Sequence, residues 1–133
     1  MSDLEIVFDG GSKGNPGLGY GSFLLRDRDG FSEITRLEYG DRVTNNQAEY
    51  RTFIAAMETA LAHADARGWE PGALSLTVRT DSQLVVEQVC GRWKVRHPEL
   101  QPLSNQAREL LGRFGRPDIR WQPRAQTVRV LGH

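Results

Sequence analysis

Leu4-Glu5-Ile6-Val7-Phe8-Asp9, followed by Gly10-Gly11-Ser12-Lys13-Gly14-Asn15-Pro16-Gly17, decides how the rest of the chain is read. Leu4 to Phe8 is a short apolar-rich run and reads as a strand ending at Asp9. The next eight residues are dense in turn formers and read as a loop. A carboxylate at that junction lies where open α/β sheets place their sites, at the edge beyond the carboxyl ends of the strands. The same pattern recurs downstream: Leu74 to Val78 reads as a strand leading into Thr80-Asp81-Ser82.

Between these two strands, Tyr20 to Leu25 and Ser32 to Tyr39 form two more, joined at Arg28-Asp29-Gly30, an Asp-Gly hairpin signal. Thr44-Asn45-Asn46 supplies helix-capping side chains. Behind it Tyr50, Phe53, Ile54, Met57 and Leu61 recur at helical spacing, predicting an amphipathic helix over roughly residues 46–67 that Gly68 ends. After the second strand–acid junction, Ser82 or Asp81 can cap a short helix through Leu84, Val85 and Val89, closed by Gly91. Pro98 suits the first turn of another helix carrying Leu100, Leu103, Leu110 and Leu111, and a last strand spans about Ile119 to Trp121. The order βββ-α-β-α-α-β describes one α/β domain over residues 1–133, built on a mixed sheet.

Composition narrows the class. Hydrophobic residues at 38% and charged residues at 26% fit a folded chain rather than a disordered one. Apolar runs fall well short of the ~20 residues that span a bilayer, so no membrane partner is expected. The acidic N-terminus is unlike a secretory signal, and a cytoplasmic monomer is the default expectation. Cys90 is the only cysteine, beside Val89 and far from any histidine, so it reads as a buried structural thiol. The tryptophans, Trp69, Trp93 and Trp121, read as packing residues, although Trp93 in its basic stretch could touch nucleic acid. Net charge is zero but uneven, −5 over residues 1–66 and +5 over 67–133. A basic end of that kind suits a polyanion, whose counterions it can release, and equally an ordinary solvated surface. The glycine loop matches neither a GxGxxG nor a GxxxxGK[ST] pattern, and the three histidines lack metal-ligand spacing.

Asp9, Asp81 and Glu49, the last in the first turns of the long helix, can converge on one sheet edge. Three converging carboxylates repel unless a cation neutralises them, and hard oxygen donors suit Mg²⁺ or Mn²⁺ better than Zn²⁺. Such a cluster can hold two ions about 3.5–4 Å apart. Taken singly, each acid has a plainer reading: Asp9 as a turn residue, Asp81 as a helix cap, Glu49 as an acid favoured by the helix dipole.

Taken together, Phe8 to Gly17, Thr44-Asn45-Asn46-Gln47-Ala48-Glu49-Tyr50 and Thr80-Asp81-Ser82-Gln83-Leu84-Val85 resemble, in order and spacing, the three signature blocks of type 1 ribonuclease H. Arg92-Trp93-Lys94-Val95-Arg96-His97-Pro98 resembles the compact bacterial and archaeal forms. The resemblance implies a ribonuclease H-like fold, a five-stranded mixed sheet in order 3-2-1-4-5 with strand 2 antiparallel, flanked by helices. It implies hydrolysis of the RNA strand of RNA/DNA hybrids with a 5′-phosphate product, Asp9, Glu49 and Asp81 being catalytic metal ligands for two Mg²⁺ or Mn²⁺ ions. An RNA/RNA duplex stays open as a second substrate. Ser12, Asn15, Asn45 and Gln83 match positions that contact the hybrid minor groove, where 2′-hydroxyls are read. Gly10 and Gly11 would let backbone approach the nucleic acid. Thr44 matches a residue gripping a DNA-strand phosphate, with His97 expected nearby.

One element departs from the pattern. The family bears a fourth carboxylate in a stretch resembling W-x-P-R-x-x-N-x-x-A-D, whereas here Trp121-Gln122-Pro123-Arg124 leads to Thr127 and Leu131 at the Asn and Asp positions. The helix that bears this acid is expected to be missing, and His133 is the one nearby group that could replace it. The expectation is weak activity, rescued by Mn²⁺ better than Mg²⁺. The alternative is a hybrid- or duplex-binding module of the same fold with impaired catalysis, or a piece of a larger protein.

Overall fold

The computed structural model describes residues 2–132. Its sheet contains β1 (Leu4–Lys13), β2 (Gly17–Asp27), β3 (Ser32–Val43), β4 (Ser75–Thr80) and β5 (Arg116–Trp121). The helices are α1 (Asn45–Ala66), α2 (Gln83–Val89), α3 (Gln101–Leu111) and α4 (Arg124–Leu131). Strand order is β3-β2-β1-β4-β5. β2 runs antiparallel to β1 and β3, while β4 is parallel to β1 and to β5. This is the mixed sheet that the sequence and its resemblance imply.

Alternation along β1 divides the molecule into layers. Leu4, Ile6 and Phe8 enter the main core with Phe53, Met57 and Leu76, under α1. Phe8 and Phe53 stack with centroids 5.1 Å apart. Val7 faces the other way and joins Leu24 and Leu131 in a small second cluster under α4. α1 begins with a capping box: Gln47 N–H donates to Thr44 Oγ1 at 3.1 Å, and Thr44 N–H to Gln47 Oε1 at 3.0 Å. That exchange satisfies two otherwise orphaned amides and fixes where the helix starts. Tyr50 O–H donates to Gln88 Oε1 at 2.7 Å, tying α1 to α2 inside the core.

Four local expectations are corrected. The segment Asp9–Lys13 is strand rather than junction and loop, because it pairs residue for residue with Leu18–Ser22. Only Gly14, Asn15 and Pro16 turn. The third helix starts at Gln101, with Pro102 in its first turn, not at Pro98. The closing helix exists: α4 forms because Leu131 is fully buried against Val7 and Leu24, and Thr127 is buried as well. Gly132, with φ +83°, ends it by donating to Val128 O at 2.7 Å. Finally, Cys90 is exposed, since it follows the last residue of α2 as its C-cap.

Candidate active site

Parallel pairing of β1 with β4 ends at Phe8 and Thr80, so Asp9 and Asp81 are the next residues on adjacent strands. Asp9 stays within β1 through its pairing with Ser22 and is only 5% exposed. Asp81 is not the cap of α2. Ser82 takes that role, its Oγ accepting from Val85 N–H at 3.3 Å, which leaves the Asp81 carboxylate outside the helix. Glu49 lies beyond the first turn of α1, so the helix dipole does not account for it.

What brings Glu49 to the two aspartates is Gly10. A Cβ there would stand 2.6 Å from the backbone carbon and oxygen of Ala48 and 2.7 Å from Glu49 N. The absence of a side chain lets α1 lie against β1 at this point. The sequence reading gave Gly10 a close approach to nucleic acid; the close approach seen in the structure is that of α1. Gly11 plays a related part, since a Cβ would meet the Tyr20 hydroxyl at 2.7 Å.

Asp9, Gly10, Gly11, Tyr20, Asn45, Glu49, Asp81, Trp121 and Arg124 line one open cavity of about 400 Å³. Burial, then the Asp9 and Asp81 charges, push the Glu49 carboxyl up to about 7, against a hydrogen bond from Ser82 and the charge of Arg124. Among the described residues, no three His, Cys, Asp or Glu side chains are gathered closely enough to hold a metal ion. A guanidinium is present instead. Arg124 Nη1 lies 3.0 Å from Asp81 Oδ2 and 3.6 Å from Asp9 Oδ1. The pair of carboxylates thus carries a cationic partner from the chain itself, and their oxygens are of the hard kind that Mg²⁺ and Mn²⁺ take.

The polar residues expected around the acids are distributed unevenly. Ser12 N–H and Oγ–H both donate to Asn45 Oδ1, at 2.8 and 3.1 Å, and Asn45 N–H donates to Asn15 Oδ1 at 3.1 Å. These three therefore form one connected rim beside the cavity. Thr44 is engaged in the capping box, and Gln83 is exposed at the first position of α2. His97 lines a second cavity, of about 560 Å³, with Leu84, Gln88, Arg92, Trp93, Lys94 and Arg96, a lining that does not include Thr44. Trp93 and Trp121 are 45% and 52% exposed, so neither is a packing residue, whereas Trp69 packs against the core. His133 lies outside the described residues.

Tyr20, Trp121 and Arg124 were not identified from the sequence as site residues. Arg124 carried a signal, its place in the Trp121–Arg124 stretch that matches the family pattern. The register of β5 on β4 and a hydrogen bond from Gln122 N–H to Thr80 O at 2.9 Å bring that stretch to the cavity. Gln122 Nε2 also donates to Thr127 Oγ1 at 3.1 Å, anchoring the first turn of α4.

Comparison with known proteins bears on the family and the fold. A family model described as reverse transcriptase-like matches residues 7–130. A bifunctional protein of Mycobacterium tuberculosis is 43% identical over 94% of this chain, which spans about a third (32%) of that relative's length. The solved structure of RNase H1 from the halophilic archaeon Halobacterium salinarum is 38% identical, with a TM-score of 0.80 over 96% of this chain and 90% of that one. LC11-RNase H1, solved in complex with an RNA/DNA hybrid, is 27% identical with a TM-score of 0.82, over the same shares of the two chains. With matching motifs, strand order and relatives, the chain belongs to the ribonuclease H family and fits its compact type 1 form.

Proposed function

We propose that this chain is an endoribonuclease that hydrolyses the RNA strand of RNA/DNA hybrids. The observation that carries the proposal is the meeting of Asp9, Glu49 and Asp81, from three separate elements, around one cavity rimmed by Ser12, Asn15 and Asn45. Asp9, Glu49 and Asp81 are the residues that would hold Mg²⁺ or Mn²⁺. Two such ions, when bound, supply an activated water and charge stabilisation for the leaving oxygen, giving a 5′-phosphate product. The protein's own part is positional. Asp9 and Asp81 are fixed by adjacent strands, and Glu49 by the contact of α1 with Gly10. Ser12, Asn15 and Asn45, linked by hydrogen bonds beside the cavity, are of the donor and acceptor types that can read 2′-hydroxyls. Gly11, Thr44 and Gln83 complete the proposed substrate contacts, and the exposed Arg92, Trp93, Lys94 and Arg96 offer charge and a stacking surface to the DNA strand.

The acid set is short by one, because Leu131 is buried in an apolar cluster at the fourth carboxylate's position. That observation favours weak cleavage with Mn²⁺ outperforming Mg²⁺. It also supports the second reading, a module that binds hybrids or duplexes with impaired catalysis. Incubation of a labelled hybrid with the chain and with Asp81→Asn, in Mg²⁺ and in Mn²⁺, tests both. Cleavage is expected in Mn²⁺, reduced by Asp81→Asn at least about 100-fold, on the scale of losses at metal sites. Tight binding without cleavage by the unaltered chain would refute the enzyme reading, and equal fast rates in both metals would refute the impairment. An RNA/RNA duplex in a parallel lane measures substrate breadth.

A further inference from the structure

Among the described residues, Arg124 is the one cationic side chain lining the cavity of the three acids, and its position there has consequences for any metal. Its Nη1 stands 3.0 Å from Asp81 Oδ2 and 3.6 Å from Asp9 Oδ1, against two of the carboxylates that would hold a metal. Two cations cannot occupy one place. The chain beside Arg124 is anchored by the Gln122–Thr80 and Gln122–Thr127 hydrogen bonds, so it is the side chain that can leave. It is 60% exposed, which makes the ion pair weak enough to exchange. A destination adjoins it. Arg124 also lines a neighbouring cavity of about 670 Å³ on the α4 side of β2 and β3, with Tyr20, Ser22, Arg36 and Glu38. Glu38 there offers an alternative carboxylate.

Resting on the reading of Asp9, Glu49 and Asp81 as metal ligands, we propose that Arg124 is a built-in, displaceable counterion of the Asp9–Asp81 pair. A divalent ion binds only by driving this guanidinium out of the acidic cavity, toward the neighbouring one. The free site is thereby self-neutralised and its metal affinity is set by competition with its own arginine. A phosphate backbone entering the cleft gives the guanidinium another anion, so hybrid and metal assist each other's binding.

The test is calorimetric titration with MgCl₂, without nucleic acid, of the unaltered chain, Arg124→Ala, Arg124→Gln and Arg120→Ala. Arg120 carries the same charge on β5 but pairs with Asp118 at 2.6 Å. Both Arg124 variants are expected to bind Mg²⁺ roughly two- to fivefold more tightly, the upper part of the range of a partly exposed ion pair. Arg120→Ala should change affinity less than about twofold, as a solvated charge does. In the unaltered chain, the Arg124 side-chain N–H resonance should shift with the midpoint of metal binding. Equal or weaker binding by the Arg124 variants overturns the proposal while leaving the metal site standing, as does equal tightening by Arg120→Ala. Absence of binding by every protein, in this titration and in its repeat with MnCl₂, overturns both this proposal and the metal-dependent reading beneath it.

Discussion

Gly10→Ala is the sharpest test of how the site is assembled. The added Cβ would lie 2.6 Å from both the carbon and oxygen of the Ala48 carbonyl and 2.7 Å from Glu49 N. Ordinary contacts between such atoms begin near ~3.4 Å, so the overlap is about 0.8 Å, against backbone that has no rotamer to change. The N-terminal turns of α1 must therefore move off β1 by most of that distance. Overpacking of this kind costs about 1–3 kcal/mol. A mid-range value of ~2 kcal/mol lowers the melting temperature by roughly 7 °C for a chain of this length. Because the clash is with Glu49's own amide, the same shift carries its carboxylate away from Asp9 and Asp81. A displacement near 1 Å at a reacting centre can cost on the order of 100-fold in rate. Thermal unfolding and hybrid cleavage in Mn²⁺, measured on the same preparation, give both numbers. Gly72→Ala is the control, since nothing lies within 4 Å of a Cβ there. A Gly10→Ala protein that melts within 1–2 °C of the parent and cleaves within about twofold would refute the argument that this contact seats Glu49.

Two further outcomes are expected. Asp27, its side chain fully buried, accepts from His63 Nε2 at 2.7 Å and the Asp29 and Phe31 amides, with Arg67 at 3.2 Å. Burial works to raise its pKa, but the His63 hydrogen bond, the two amides and the Arg67 charge together hold it below the usual 3.8. Its stabilising contribution is therefore fully present above pH 3.8 and lost as pH falls through the lower native value. Asp27→Asn should cost roughly 2–4 kcal/mol at neutral pH and flatten the acid limb of a urea-midpoint versus pH curve; an unchanged acid limb would contradict the assignment. Leu131→Asp restores an acid at the family's position yet places it in the Val7–Leu24 cluster. It should destabilise by at least about 3 kcal/mol without raising the Mg²⁺-dependent rate, and a stable, faster protein would show that α4 can turn this residue toward the cavity.

Much of this architecture is legible in local sequence. Three apolar strands, the Asp-Gly turn, the helical stripe from Tyr50 to Leu61 and the Thr44–Gln47 cap are encoded within a few residues each, because periodicity and capping are short-range physics. So were the three acids, which sit next to those punctuation marks and belong to blocks specific to one family. The sequence by itself therefore determined every element but the last helix, their order and the three carboxylates proposed as ligands. Tertiary structure alone decided the rest. Residues 9–13, rich in turn formers, became strand because β2 satisfied their backbone groups. A last helix expected to be missing formed because Leu131 found Val7 and Leu24. Gly10 acquired its role from the backbone of α1, and Arg124 reached Asp9 and Asp81 through the pairing of β5 with β4. Periodicity records which side of an element is buried, but not which distant charge or backbone will meet it, since only the folded sheet fixes those distances.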